Sequence, residues 1–207
     1  MFFRKIVVFA SLFITCDKIA AQIIPDTIGL SRKLDKISEK YLGFDLSQPF
    51  NSLIQNIIAN PEIRIDTIIN HTDTSAFYIR GYHKTFNPFN VAPDSIRFII
   101  AEVRRHDTKT KSTIDTALYL QTEAVVIGEE KIKTLRNEFH SLDKDIRHLF
   151  PFSEYGNTKI KKEFWAESMT YFIKGASMPL INIGWQKRSD NVAIIVVTVQ
   201  LHTEQLF

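Results

Sequence analysis

The 207-residue chain is 44% apolar, 24% charged and 12% aromatic, and 26 Lys and Arg against 23 Asp and Glu leave a formal charge of +3. These are the proportions of a globular domain, and they exclude a disordered tail, a collagen-like repeat, a disulfide-dense mini-protein and a basic arm for nucleic acid. A domain of this length buries about 70% of its unfolded surface and needs no covalent staple.

Arg4 and Lys5 precede an uncharged apolar run from Ile6 to Ile14, and small residues follow at Ala20 and Ala21. Charge, apolar run and small residues in that order predict a secretory signal peptide over 1–21 and a single α+β domain over 22–207. The expected destination is the periplasm or cell surface of a bacterium. The run falls short of the ~20 apolar residues a spanning helix needs, so no transmembrane span is expected. Cys16 offers a lesser route, lipidation behind Phe13-Ile14-Thr15, but Thr15 is larger than the residue such a site prefers before its Cys. Losing Arg4, Lys5, Lys18 and Asp17 with the leader leaves 23 basic and 22 acidic residues, a net +1. A nearly neutral body has no long-range pull on nucleic acid. Cys16 is also the chain's one cysteine, so the cut product has no thiol for disulfide, zinc-thiolate or nucleophilic chemistry.

Ser31 reads as the N-cap of a first helix, with Leu34, Ile37, Tyr41 and Leu42 on one side and Gly43 as its stop. A second helix starts near Ser47 with Pro49 in its first turn. It carries the stripe Phe50, Leu53, Ile54, Ile57 and Ile58 and ends at Asn60-Pro61. Alternating runs over 63–69, 75–86, 96–105 and 114–126, joined by polar turns, predict a four-strand antiparallel meander. From Glu129 to Phe150, Ile132, Leu135, Phe139, Leu142, Ile146 and Leu149 recur at steps of three and four, which predicts a long amphipathic helix halted by Pro151. Residues 151–158 read as a loop and 158–174 as a fourth helix that gathers Glu163, Glu167, Thr170 and Lys174 on one face. A hairpin over 180–187 and 191–201 closes the chain. Val192 to Val197 is apolar on both faces and predicts a central strand covered on both sides. The expected architecture is therefore a sheet of about six antiparallel strands (the four-strand meander plus the C-terminal hairpin) packed with about four helices. Phe207 at the end of an exported chain suggests an outer-membrane barrel, but the long helix and the two-sided apolar strand contradict that pattern.

No spacing for a recognised catalytic or cofactor site is present. His71, His83, His106, His140, His148 and His202 are scattered without metal-ligand spacing, and no nucleophile elbow or phosphate-binding glycine loop occurs, so no metal and no cofactor are expected. Glu163 and Glu167 could pair for acid–base work, yet basic neighbours make a solvated helix face the simpler reading. Tyr78, Arg80, Tyr82, Lys84 and Phe86 alternate along one strand, so all five are expected on one side of the sheet. Tyrosine and arginine are enriched in binding surfaces, and the stripe suits a peptide, glycan or protein partner. The opposing reading packs the tyrosines under a helix with the cationic stems reaching outward. Four Asp-Ser/Thr-apolar triplets, with acceptors Thr27, Thr67, Ser95 and Thr116, resemble an O-glycosylation pattern of exported proteins in some Gram-negative bacteria. Turn-to-strand junctions place Asp and Thr side by side for plainer reasons. Catalytic residues and oligomeric state are left open. The expected function is an exported, non-catalytic binding or interaction domain; the alternative is a secreted hydrolase whose site is assembled from distant residues.

Overall fold

The computed structural model describes residues 27–70, 77–106, 113–161, 164–173, 179–189 and 191–202. The leader, Cys16 and the cleavage site lie outside them. Helix α1 (Thr27–Ile37) runs on into a π-helical turn, Ser38–Leu42, and α2 spans Phe50–Ala59. Strands β1 (Ile63–Asn70), β2 (Phe77–His83), β3 (Ser95–His106) and β4 (Thr113–Ile127) follow. Helix α3 (Glu129–Leu149) then leads to β5 (Phe152–Lys161), β6 (Phe164–Phe172), β7 (Pro179–Ser189) and β8 (Val192–His202).

All eight strands form one antiparallel sheet in the order β1-β2-β3-β4-β8-β7-β6-β5. The order is palindromic. Helix followed by a four-strand meander occurs twice, and the two meanders join where β4 pairs β8, from Ala117 opposite His202 to Ile127 opposite Val192. The expected meander over β1–β4, the long helix and the terminal hairpin are all present. Strand β8 is central, and Ala193, Ile194, Ile195, Val197, Thr198 and Val199 are buried.

The expected count of six strands and four helices is overturned, since the sheet has eight strands and the described residues form three helices. The region read as a loop and a helix is the β5–β6 hairpin, with Tyr155 opposite Met169. In β6, Glu167, Met169 and Tyr171 alternate inward and are buried, a period of two that the charges had disguised as a helical face. Glu167 and Thr170 consequently lie on opposite faces of the sheet. Strand β5 pairs only β6. As an edge strand it needs little apolar patterning, and Gly156 and Asn157 within it imitate a turn. Ser31 proves to lie inside α1, which starts at Thr27.

The helices pack on one face. Phe98, Thr122, Val197, Ile183 and Met169 are successive cross-strand partners and mark that face across β3, β4, β8, β7 and β6. Against it lie Leu34, Ile37, Tyr41 and Leu42 from α1 and its π turn, Leu53 and Ile57 from α2, and Ile132, Leu135, Phe139, Leu142 and Ile146 from α3. Each such side chain contributes about 1.5–3 kcal/mol when fully buried. Gly43 ends the π turn at φ 73°, a left-handed conformation that costs glycine nothing, and its N–H donates to the Ser38 carbonyl at 2.9 Å. Ser38 is itself buried and donates its hydroxyl to the Phe44 carbonyl at 2.5 Å.

Candidate binding face

The opposite face of the sheet receives none of the helix contacts found among the described residues. Its composition follows from register. One row runs Arg64, Tyr82, Arg97, Glu123, Val196, Gly184 and Ser168 across seven strands. The next runs Thr67, Arg80, Ile99, Gln121, Thr198, Asn182 and Thr170. A third holds Ile69, Tyr78, Ala101, Tyr119 and Gln200.

Three of the five stripe residues, Tyr78, Arg80 and Tyr82, occupy that face as expected from alternation. Lys84 and Phe86 do not, because β2 ends at His83. Lys84 turns back to donate to the Pro61 carbonyl at 2.6 Å, and Phe86 packs on the ring of His83 with centroids 4.8 Å apart. The stripe is shorter than its sequence pattern because alternation stops where the strand stops.

Two of the three arginines of this face, Arg80 and Arg97, are paired with carboxylates. Arg80 donates Nε to Asp66 Oδ2 at 2.7 Å, where a bulge in β1 presents the carboxylate, and the guanidinium beside it holds Asp66 below the usual carboxylate range. Arg97 pairs with Glu123, its direct cross-strand neighbour. The Arg64 guanidinium lies 4.4 Å from the centroid of the Tyr82 ring. Between Tyr78, Arg80, Arg97, Ile99, Gln121 and Glu123 the surface dips into a cavity of about 110 Å³. Beyond it the central strands are neutral and already cross-linked. Thr198 donates to Gln121 Oε1 at 3.3 Å, and Asn182 Nδ2 donates to Thr170 Oγ1 at 2.8 Å. Asn182 meets Thr198 across the β7–β8 hairpin, but the sequence held no signal that Gln121 would join them, since only the β4–β8 seam brings it there.

Glu167 is buried at 4% exposure under α3 instead of sitting on a solvated helix. Arg136 Nε donates to its Oε1 at 3.0 Å and Tyr155 Oη to its Oε2 at 3.2 Å. Both carboxylate oxygens are thus held by side chains, one from α3 and one from β5. Glu163 lies outside the described residues. Among the described residues no three His, Cys, Asp or Glu side chains converge as a metal site.

Of the four candidate glycosylation acceptors, Thr27 begins α1, Thr67 lies in β1, Ser95 opens β3 and Thr116 lies in β4. Thr67 bonds Asp66 Oδ2 at 3.3 Å within the Arg80 ion pair. Asp94 of the third triplet accepts the Ile127 N–H at 2.7 Å and Lys131 Nζ at 3.0 Å, so it has a structural task at the start of α3. No described helix is long and apolar enough to cross a membrane. No protein-family model, curated protein or solved structure matches the chain.

Proposed function

We propose that the chain is an exported, non-catalytic binding domain of the bacterial periplasm or cell surface, and that its helix-free sheet face holds a neutral, hydroxyl-rich partner, a glycan. The observation that carries this reading is the row Gln121, Thr198, Asn182 and Thr170, flanked by Tyr78, Tyr82 and Tyr119. Amides and hydroxyls both donate and accept, which suits sugar hydroxyls, and the tyrosines offer flat apolar surface beside them. The cross-strand bonds fix these groups before any partner arrives, which lowers the ordering cost of binding. Arg80 and Arg97, each paired with a carboxylate, add no net charge beside this row. Export is supported by the leader pattern over 1–21.

The test is a glycan array carrying neutral and acidic members, probed with the secreted protein and with Gln121→Ala and Asn182→Ala variants. Neutral glycans should be retained by the parent and at least about fivefold less by each variant, equivalent to roughly 1 kcal/mol. Binding confined to acidic glycans, or unchanged in both variants, would refute the reading.

A further inference from the structure

The helix-free face is not flat where β2, β3 and β4 lie side by side. The dip among Tyr78, Arg80, Arg97, Ile99, Gln121 and Glu123 measures about 110 Å³, room for three or four water-sized groups at roughly 30 Å³ each. That is too small for a sugar ring. A glycan lying on this face can send only a substituent into the dip, and the chemistry of the wall selects which one.

The wall has an apolar part and a polar part. Ile99 is half-buried, with Arg80 opposite it on β2 and Gln121 opposite it on β4, and Tyr78 adds a ring at the rim. Arg97 and Glu123 stand opposite each other in the adjoining row. Charge does not select the occupant, because Arg80 is paired with Asp66 and Arg97 with Glu123. Hydrogen-bonding capacity of both kinds is left over. The bonds of Arg80 to Asp66 and Thr67 use Nε and one amino nitrogen, so the other amino group remains a donor. Glu123 gives Oε1 to Arg97, and Oε2 remains an acceptor.

We infer that this dip takes the acetamido group of an N-acetylated amino sugar. The methyl meets Ile99 and Tyr78, the carbonyl oxygen accepts an arginine N–H, and the amide N–H donates to Glu123. Other substituents match fewer of these groups. A hydroxyl or hydroxymethyl group has no apolar end for Ile99, and a carboxylate is repelled by Glu123 while both arginines are already paired. The inference rests on the glycan reading and narrows it to glycans that carry this group.

The experiment is an array of neutral glycan pairs that differ only in an acetamido or a hydroxyl group on the same ring carbon, in gluco and galacto series, probed with the secreted protein. In at least one series the acetamido member should be retained at least about tenfold better than its hydroxyl partner, equivalent to about 1.4 kcal/mol. Ile99→Phe fills the dip and Tyr78→Ala removes its rim. At least one of the two should cut that ratio below about twofold, and a ratio does not depend on how much of a variant is folded. Lys33→Gln, on the helical side of the sheet, should keep the parent ratio. Retention of neutral glycans with no acetamido preference, or a preference left whole in both Ile99→Phe and Tyr78→Ala, would overturn the inference while the glycan reading stands. Retention of no neutral glycan at all would overturn both.

Discussion

The ring of Phe98 occupies the space that a side chain at position 81 would need. A Cβ built on Gly81 would stand 2.6 Å from Phe98 Cζ and 2.8 Å from the Arg64 carbonyl oxygen. Phe98 is fully buried at the centre of the helix-covered face. Gly81→Ala should therefore destabilise the domain by about 2–3 kcal/mol through overpacking. In a Phe98→Leu background the same substitution should cost less. Urea unfolding of the four proteins in the cycle checks both statements, and equal costs in the two backgrounds would separate the residues.

His83 sits among the rings of Phe44, Phe86 and Phe98, with centroids 5.3, 4.8 and 5.1 Å away. Its Nε2 has no partner among the described residues. Burial pushes its pKa down from 6.5 to about 4, against a weaker opposing pull from the Leu42 backbone. The folded state thus holds the imidazole neutral, whereas the unfolded chain takes up a proton near pH 6.5. Stability from this group is complete above pH 6.5 and falls as pH drops toward 4, by up to about 3 kcal/mol. Comparing unfolding free energies of the parent and His83→Leu from pH 7.5 to 4 isolates the effect; parallel curves would remove it.

Helix α3 is clasped from two sides by neighbouring carboxylates. Asp145 accepts Tyr41 Oη at 2.8 Å and Lys40 Nζ at 2.7 Å, tying α3 to the first helical segment. Asp143 accepts Tyr171 Oη at 2.7 Å and so ties α3 to β6. Burial pushes the Tyr41 hydroxyl up to about 12, so it remains a donor across the working pH range. Tyr41→Phe and Tyr171→Phe should each lower stability by about 1 kcal/mol, and the double variant should depart from the sum, because the two tyrosines interact and their acceptors lie two residues apart on α3. Thermal unfolding of the three variants supplies the numbers.

Export has a simple chemical readout. Secretion from a bacterial host should yield a chain beginning at Gln22, unaltered by Cys16→Ser. Intact mass would reveal the alternative at once, since lipidation at Cys16 adds acyl chains and begins the mature chain there. The same spectrum reads the acceptors Thr27, Thr67, Ser95 and Thr116, where unmodified mass would discard the glycosylation pattern.

Legibility in the sequence tracked how directly a local pattern reported its surroundings. The period of α3 survived intact because it follows from burial alone. Strand β8 is central, as its apolar run implied, but the described helices cover only one of its two faces, not both. Strand β5 lacked such a pattern, since an edge strand is patterned by solvent as much as by core. Strand β6 misled because Glu167, a charge, occupies an inward position and is answered by Arg136 from a helix thirty-one residues earlier. Half of the candidate face was readable as Tyr78, Arg80 and Tyr82. The other half depended on which strands become neighbours, and nothing near Gln121 announces that Thr198 will lie opposite.

The β4–β8 seam also sets the order in which the molecule can be completed. Each four-strand half can zip through successive hairpins, whereas β4 must wait more than sixty residues for the strand that closes its free side. Until the last segment arrives, a nascent or truncated polypeptide carries a long, bare, apolar strand margin suited to capture by another copy of itself.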